Sequence, residues 1–408
     1  MSQLSFMEKL VEGVEVEWKA IGKVTLPTTI IKWRDANRTY RYIDLTSVSI
    51  ETKAITETPE IASNNAPSRA QKLVEKNDVI FATTRPTQQR YCLIDEKYDG
   101  EVASTGYCVL RARQNEVLPK WILYWIASTN FKIYLEANQR GAAYPAISDA
   151  KVKDFKIPIP HLDIQAEIVQ ILDTFTELTA ELTAELTARK KQYTYYRDQL
   201  LTFEEVEVEW KPLGNLAKIQ RGASPRPIAK YITDNENGVP WIKIGDTLSG
   251  SKYVNATKQK ITFEGAKKSR LLKKGDFIVS NSMSFGRPYI LNIDGATHDG
   301  WASISDFEGK LNSDYLYHYL SSNSVQNYWI SKINSGSVSN LNATIIETLP
   351  IPIPFLDEQV RIASVLDKFD ALTNSITEGL PREIELRQKQ YEYYREQLLS
   401  FPKIASEA

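Results

Sequence analysis

The sequence predicts an α/β protein built as an internal repeat with a pseudo-two-fold: two mixed α/β heads, each followed by a long helix. Three observations carry this. A set of short motifs occurs twice in the same order. A run near mid-chain repeats a helix-forming unit every four residues. The two segments between the motifs mix β-type runs with turn residues.

The motifs come first. Val14-Glu15-Val16-Glu17-Trp18-Lys19 recurs letter for letter as Val206-Glu207-Val208-Glu209-Trp210-Lys211, and Ile21-Gly22 answers Leu213-Gly214. Ile157-Pro158-Ile159-Pro160, Leu162-Asp163 and Gln165 recur as Ile351-Pro352-Ile353-Pro354, Leu356-Asp357 and Gln359. Leu172-Asp173-x-Phe175 matches Leu366-Asp367-x-Phe369. Lys191-Gln192-Tyr193-x-Tyr195-Tyr196-Arg197 matches Lys389-Gln390-Tyr391-x-Tyr393-Tyr394-Arg395. Chance supplies one such match, not four in order, so the chain is a duplication. The Gln3-Leu4-Ser5-Phe6 segment echoes Gln397-Leu398-Leu399-Ser400-Phe401, as if a circle had been cut once; this predicts that the chain ends lie close together.

The first long helix is centred on Phe175–Arg189, where Thr-Ala-Glu-Leu is written twice at 179–186 after a worn copy, Thr176-Glu177-Leu178. Leu178, Leu182 and Leu186 step by four along one ridge. With the apolar positions upstream and downstream, the pattern predicts one helix from about Asp163 to Leu201. The second copy is four residues longer and has Ser375-Ile376-Thr377-Glu378-Gly379-Leu380-Pro381 instead of the repeat. Gly379 suits a helix C′ position and Pro381 the first turn of a new helix, so a kink is expected there.

The heads occupy about 20–155 and 212–348. Strands are predicted at 40–45, 78–82 and 107–111 in the first, and at 240–244, 276–280 and 288–291 in the second. Each head then carries an aromatic amphipathic helix, Pro119 to Ala137 and Ser313 to Lys332.

Composition is that of an ordinary soluble protein, and the formal net charge of −1 places nucleic-acid binding in local patches, not in the total. Cys92 and Cys108 are too few for a disulfide framework or a thiolate zinc site and read as core. His161, His298 and His318 lack metal-ligand spacing. There is no signal-peptide core, no membrane-length apolar run, no Gly-rich phosphate loop and no amino-methyltransferase tetrapeptide. The chain is expected to be cytoplasmic and not a catalyst by itself, with no metal or catalytic residue.

The loops of both heads carry what DNA recognition uses: Arg for guanine and phosphate, Gln and Asn for adenine, Ser and Thr for phosphate. In head one these are Arg38, Arg85, Gln88, Gln89, Arg90 and Arg140. In head two they are Arg221, Ser224, Arg226, Asn281, Ser282, Ser284, Arg287, Ser337 and Asn340. The loops occupy corresponding places while their letters differ, which suits a bipartite target. The competing reading is a non-enzymatic coiled-coil scaffold whose heads bind protein or glycan.

With the Thr-Ala-Glu-Leu run, Val239-Pro240-Trp241-Ile242, Lys274-Gly275-Asp276-Phe277 and Gly336-Ser337 ahead of the Ile-Pro-Ile-Pro element, the chain resembles specificity subunits of type I restriction–modification enzymes, of the IC branch with repeats in the spacer. The resemblance implies a target-recognition domain at 1–157, a spacer helix at 158–203, a second target-recognition domain at 204–351 and a distal helix at 352–408 antiparallel to the first. It implies double-stranded DNA as ligand, each head reading half of a split asymmetric site. Two modification subunits would dock on the helices, and two restriction subunits would complete the complex. Leu178, Leu182, Leu186, Tyr193, Tyr196, Phe369, Tyr391 and Tyr394 are the expected spacer and docking positions. No cofactor is implied in this chain; S-adenosylmethionine, ATP and Mg are implied on the partners.

Overall fold

The computed structural model describes residues 10–11, 13–204, 207–248, 250–281, 286–334, 340–375 and 377–402. The chain divides into two compact units, Met1–Glu181 with Leu386–Ala408, and Leu182–Glu385. Each unit thus holds one head, the start of the helix that follows it and the end of the helix that follows the other head.

In the first unit, β1 (Glu17–Ala20) pairs antiparallel with β10 (Lys156–Ile159), Trp18 opposite Pro158. Two of the repeated motifs are therefore the two sides of one ladder. A two-stranded ribbon has free edges, which is where strand prolines are tolerated. The head proper has a sheet in the order β2 (Thr25–Leu26), β9 (Tyr107–Ala112), β6 (Val79–Ala82), β7 (Tyr91–Leu93). A second sheet has the order β4 (Glu60–Ile61), β3 (Tyr40–Ile43), β8 (Val102–Ser104), β5 (Ala70–Leu73). Strand β6 shows why its sequence is an unbroken apolar run: Ile80 and Ala82 face a core shared with Ile43, Ala103 and Val109, while Val79 and Phe81 face the helical side. Cys92 and Cys108 are buried on opposite sides of this sheet, and burial pushes both thiols up to about 12.

Helices α1 (Pro119–Ala127), α2 (Thr129–Asn138) and α3 (Asp149–Asp154) follow, then α4, a 39-residue helix from Leu162 to Leu200. At ~1.5 Å per residue α4 is roughly 58 Å long. The aromatic helix expected at Pro119–Ala137 is in fact two. Ser128 takes an extended conformation, and its side chain accepts from the Phe131 N–H to cap a second helix.

The second unit repeats this plan. β11 (Glu209–Pro212) pairs with β22 (Pro350–Ile353), Trp210 opposite Pro352. One sheet runs β12 (Lys218–Arg221), β21 (Trp301–Ser305), β18 (Phe277–Ser280), β19 (Pro288–Leu291), β15 (Tyr253–Val254). The other runs β13 (Ile232–Thr233), β16 (Lys260–Ile261), β14 (Val239–Ile242), β20 (Gly295–Thr297), β17 (Arg270–Leu272). After a short α5 (Phe263–Ala266) come α6 (Ser313–Leu320), α7 (Asn323–Asn334) and α8 (Ala343–Glu347), so the helix expected over Ser313–Lys332 is also broken. The distal helix is two pieces, α9 (Leu356–Asn374) and α10 (Leu380–Leu398). Gly379 stands directly before α10 with φ +81, and a Cβ there would lie 2.4 Å from the Ala371 carbonyl oxygen.

The repeated letters are the ones that pack. Gly22 and Gly214 lie where a Cβ would sit 3.1 Å from the side chains of Lys153 and Glu347, so α3 and α8 close tightly on the 3-10 turns Ile21–Lys23 and Leu213–Asn215 that follow the ladder strands. Gln165 and Gln359 are fully buried. The Gln165 Oε1 accepts from the Leu118 N–H at 2.9 Å, and its amide donates to the carbonyls of Glu116 (3.0 Å) and Pro160 (2.9 Å). Gln359 makes the same set to Asn312 (2.8 Å), Lys310 (3.4 Å) and Pro354 (2.9 Å). Each glutamine ties the start of α1 or α6 to the start of the long helix. Replacing Gln165 or Gln359 by Leu leaves three backbone groups without partners in an apolar site, and should destabilise its unit by about 2–4 kcal/mol in chemical denaturation.

Candidate nucleic-acid interface

The β6–β7 connection of head one begins and ends in left-handed backbone, Arg85 with φ 50 and Gln89 with φ 47, around the Pro86–Gln88 turn. Non-glycine residues hold that conformation only where the surroundings fix it. Here the Arg85 N–H donates to the Pro145 carbonyl at 2.7 Å, and Ala146 bridges to both Thr84 and Arg140. These bridges bring Arg85, Gln88 and Arg140, all exposed, onto adjoining loops. Tyr144, 74% exposed, joins them with its ring 5.8 Å from the Arg85 guanidinium. The sequence reading missed Tyr144; its signal was an aromatic residue in a Gly-Ala-Ala-Tyr-Pro loop.

Three other head-one positions are engaged inside the head. Arg90 donates to the carbonyls of Val48 (2.7 Å) and Leu45. Gln89 donates to the Ile126 carbonyl at 3.3 Å, and its own carbonyl accepts from the Lys53 ammonium, whose pKa burial lowers to about 8. Arg38 donates to the Gly100 carbonyl at 2.6 Å, pairs with Glu101 at 3.3 Å and lies over the Tyr40 ring.

In head two the polar residues gather around Asp299. Its Oδ1 accepts from the Ser224 hydroxyl at 2.8 Å, and Arg226 approaches its Oδ2 at 3.8 Å. Asn281 is buried, donates to the Asp299 carbonyl at 3.3 Å and leaves its own Oδ1 without a partner. The Ser224 hydroxyl, with the His298 and Arg226 charges, holds the Asp299 carboxyl below its ordinary value. Arg221 is exposed at the end of β12, and Asn340 is exposed as well. Arg287 is half-buried beside the Tyr289 ring. Ser282, Ser284 and Ser337 lie outside the described residues. Among the described residues no group of three or more His, Cys, Asp and Glu is placed to hold a metal ion, and no helix is long and apolar enough to cross a membrane.

Two heads with one frame and unlike loops match a known architecture. The family model for the type I restriction modification DNA specificity domain matches the chain twice, at residues 26–189 and 205–386. The chain belongs to this family. It is 38% identical to the specificity subunit of the type I restriction enzyme EcoR124I/EcoR124II of Escherichia coli, over 99% of this chain and 98% of the relative. It is 30% identical to a putative type I restriction enzyme specificity subunit of Haemophilus influenzae, over 97% and 98%. A chain from a structure of a type I restriction–modification system shares the fold with a TM-score of 0.65 at 24% identity, covering 96% of this chain and 99% of that one. The S subunit of a type I system from M. genitalium does so at 0.58 and 13% identity, covering 97% and 98%.

In this specificity-domain chain the expected docking positions fall into two groups. Leu178, Leu182 and Leu186 are half-buried along α4. Tyr193 and Tyr391 are buried in the cores of the second and first unit respectively, so their rings are closed to any partner. Tyr196 stacks on Phe369 with centroids 5.6 Å apart, and Tyr394 on Phe175 at 5.3 Å. Tyr196 remains 41% exposed, and Tyr195 and Tyr393, which were not among the expected docking positions, are 61% and 51% exposed.

The Ser224–Asp299 contact has a pH signature. Because the folded carboxyl titrates below its ordinary 3.8, the contact stabilises the head at neutral pH and is lost as pH falls below the usual aspartate range. Ser224→Ala should move the Asp299 titration upward, as followed by carboxyl NMR in the folded protein.

Proposed function

We propose that this chain is the DNA sequence-recognition subunit of a type I restriction–modification complex, each head reading one half of a split asymmetric site. The observation that carries this reading is the duplicated frame. Gln165 and Gln359 and the Trp–Pro ladders are alike in both units, and Asp173 and Asp367 each anchor a head helix, whereas the loops leaving the same strand ends are not alike. A frame kept constant under different polar loops serves two unlike half-sites. Family membership supports the same assignment.

Arg85, Gln88, Arg140 and Tyr144 are the head-one group best placed to meet a duplex, with Arg221, Ser224 and Arg226 in head two, where the buried Asn281 holds the Asp299 loop in shape. Arg38, Gln89 and Arg90 are more fitted to holding the loops in shape. The chain contributes no catalytic group. Adenine methylation with S-adenosylmethionine would come from two modification subunits docked on the long helices, and ATP- and Mg-dependent translocation and cleavage from two restriction subunits. With a net charge of −1, the isolated chain is expected to bind DNA weakly and the complex strongly, with steep salt dependence.

The spacer reading follows from helix geometry. One extra Thr-Ala-Glu-Leu unit adds ~6 Å of helix against roughly 3.4 Å per base pair. Inserting a third unit after Leu186 should lengthen the unread gap and leave both half-sites unchanged when methylated adenines are mapped in cells carrying the whole system; an unchanged gap refutes it. Separately, Arg85→Ala in the complex should weaken DNA binding and lower the salt slope by about one if it meets a phosphate, or relax one base of the first half-site if it meets guanine. Unchanged affinity, salt slope and half-site preference in Arg85→Ala would place Arg85 outside the DNA interface.

A further inference from the structure

β8 is joined to β9 in head one, and β20 to β21 in head two, by connections whose ends are fixed alike. Ser104 pairs with Ala70, and Thr297 with Arg270. The Gly106 carbonyl accepts from the Thr83 N–H at 2.8 Å, and the Gly300 carbonyl from the Asn281 N–H at 3.1 Å. Between these points head one has Thr105 alone, whereas head two has His298 and Asp299. The longer connection puts a carboxylate beside Ser224 and Arg226.

Three segments hold this loop. The Gly222 N–H donates to the Trp301 carbonyl at 2.7 Å and the Ala223 N–H to the Thr297 carbonyl at 3.2 Å. A Cβ on Gly222 would lie 2.0 Å from the His298 carbonyl oxygen, so only glycine lets the chain come this close. The Asn281 amide donates to the Asp299 carbonyl at 3.3 Å, and the His298 ring stands 6.2 Å from that of Trp241. On this fixed backbone Asp299 gives its Oδ1 to the Ser224 hydroxyl, while its Oδ2 is 3.8 Å from Arg226, longer than a hydrogen bond. The Asp299 side chain is 39% exposed and that of Arg226 85%. Held below its ordinary value by Ser224, the carboxyl is ionised at neutral pH and can only accept.

We propose that Asp299 determines one base of the second half-site, its carboxylate accepting from the N4 amino group of a cytosine in the major groove. The inference rests on the DNA-reading function proposed above. Phosphates repel a carboxylate, so a DNA-facing surface tolerates one only where it meets a donor. The donors that duplex DNA displays are base amino groups: cytosine N4 and adenine N6 in the major groove, guanine N2 in the minor. Adenine sets its own N7 acceptor beside N6, which repels a carboxylate. Cytosine N4 instead lies beside the O6 and N7 of the paired guanine, acceptors for a guanidinium. Asp299 and Arg226, neighbours on one surface, therefore match the two halves of a G·C pair.

The test is a map of methylated adenines in cells carrying this chain with its modification subunits, as wild type, Asp299→Asn or Asp299→Ala. Wild type should require cytosine at one position of the second half-site. Asp299→Asn keeps an oxygen for Ser224 and offers an amide suited to adenine N6 and N7, so the preference there should move from cytosine toward adenine. Asp299→Ala should lower discrimination at that position about tenfold. Both variants should leave the first half-site unchanged and bind random duplex no more weakly than wild type, because a negative charge is gone. If Asp299→Ala does not assemble, Asp299→Asn alone decides. A second half-site unchanged in Asp299→Asn, or weakened evenly at all its positions, overturns the assignment and leaves Asp299 as a support of its loop. A wild type that methylates no split site overturns the DNA-reading function itself.

Discussion

Neither head completes its own core. The first closes over Tyr391, Leu398, Leu399 and Phe401, which follow the whole of the second head in sequence, and the indole N–H of Trp18 donates to the Pro402 carbonyl at 3.1 Å. The second closes over Tyr193 and Leu201, which precede it. This exchange of helix ends is the constraint on which the remaining structure depends. A head without the far helix end would expose the apolar face of its central sheet and the aromatic rings of its helices, several large side chains worth about 1.5–3 kcal/mol each. It also makes the contacts very non-local, so closing the first unit waits for the C-terminal segment.

The exchange explains why the repeat is strict where it is strict. The motifs that recur are the Trp–Pro ladder, the buried glutamine, the aspartate that receives a head helix, and the tyrosine-rich helix end. Asp173 accepts from Lys120 and Tyr124, each at 2.6 Å, and Asp367 from His318 at 2.7 Å and Lys252 at 2.5 Å. The anchor is the same while its partners differ. His318, fully buried, also meets the Tyr193 hydroxyl at 2.9 Å and so links the helix end, the head and α9. Within this frame a carboxylate can change partners without moving, which is how two copies diverge and keep one fold.

Much of this was legible before any coordinates. Short unbroken apolar runs gave β6 and β18, which are buried on both faces, and four-step leucines gave α4. The breaks at Ser128 and near Ser322 were not legible, since an amphipathic aromatic run hides a cap whose only signal is one serine. Among the loop residues composition alone could not separate Arg85, exposed beside Tyr144, from Arg90, bonded to two carbonyls five positions later. Both are arginines in one loop; only the fold says which way each faces. The same limit applied to Tyr193 and Tyr195, neighbours on one helix, one buried and the other outside.

The positions where the two copies disagree are informative for the opposite reason. A duplicated frame under a single packing demand would keep Glu396 and Tyr91 in both units, because each closes a gap. The second unit has Asp198 and Pro288 at these positions, and Pro288 borders a cavity of about 290 Å³ that Arg197 also lines. The position of Leu123 is taken in the second unit by the larger Tyr317, which lines that cavity, so part of the space left by the absent ring is filled from α6. A change at one position is thus answered at its neighbour, and Arg197 keeps its carboxylate partner in Asp198 at 3.5 Å as Arg395 keeps Glu396 at 2.7 Å, so the frame holds while its letters drift.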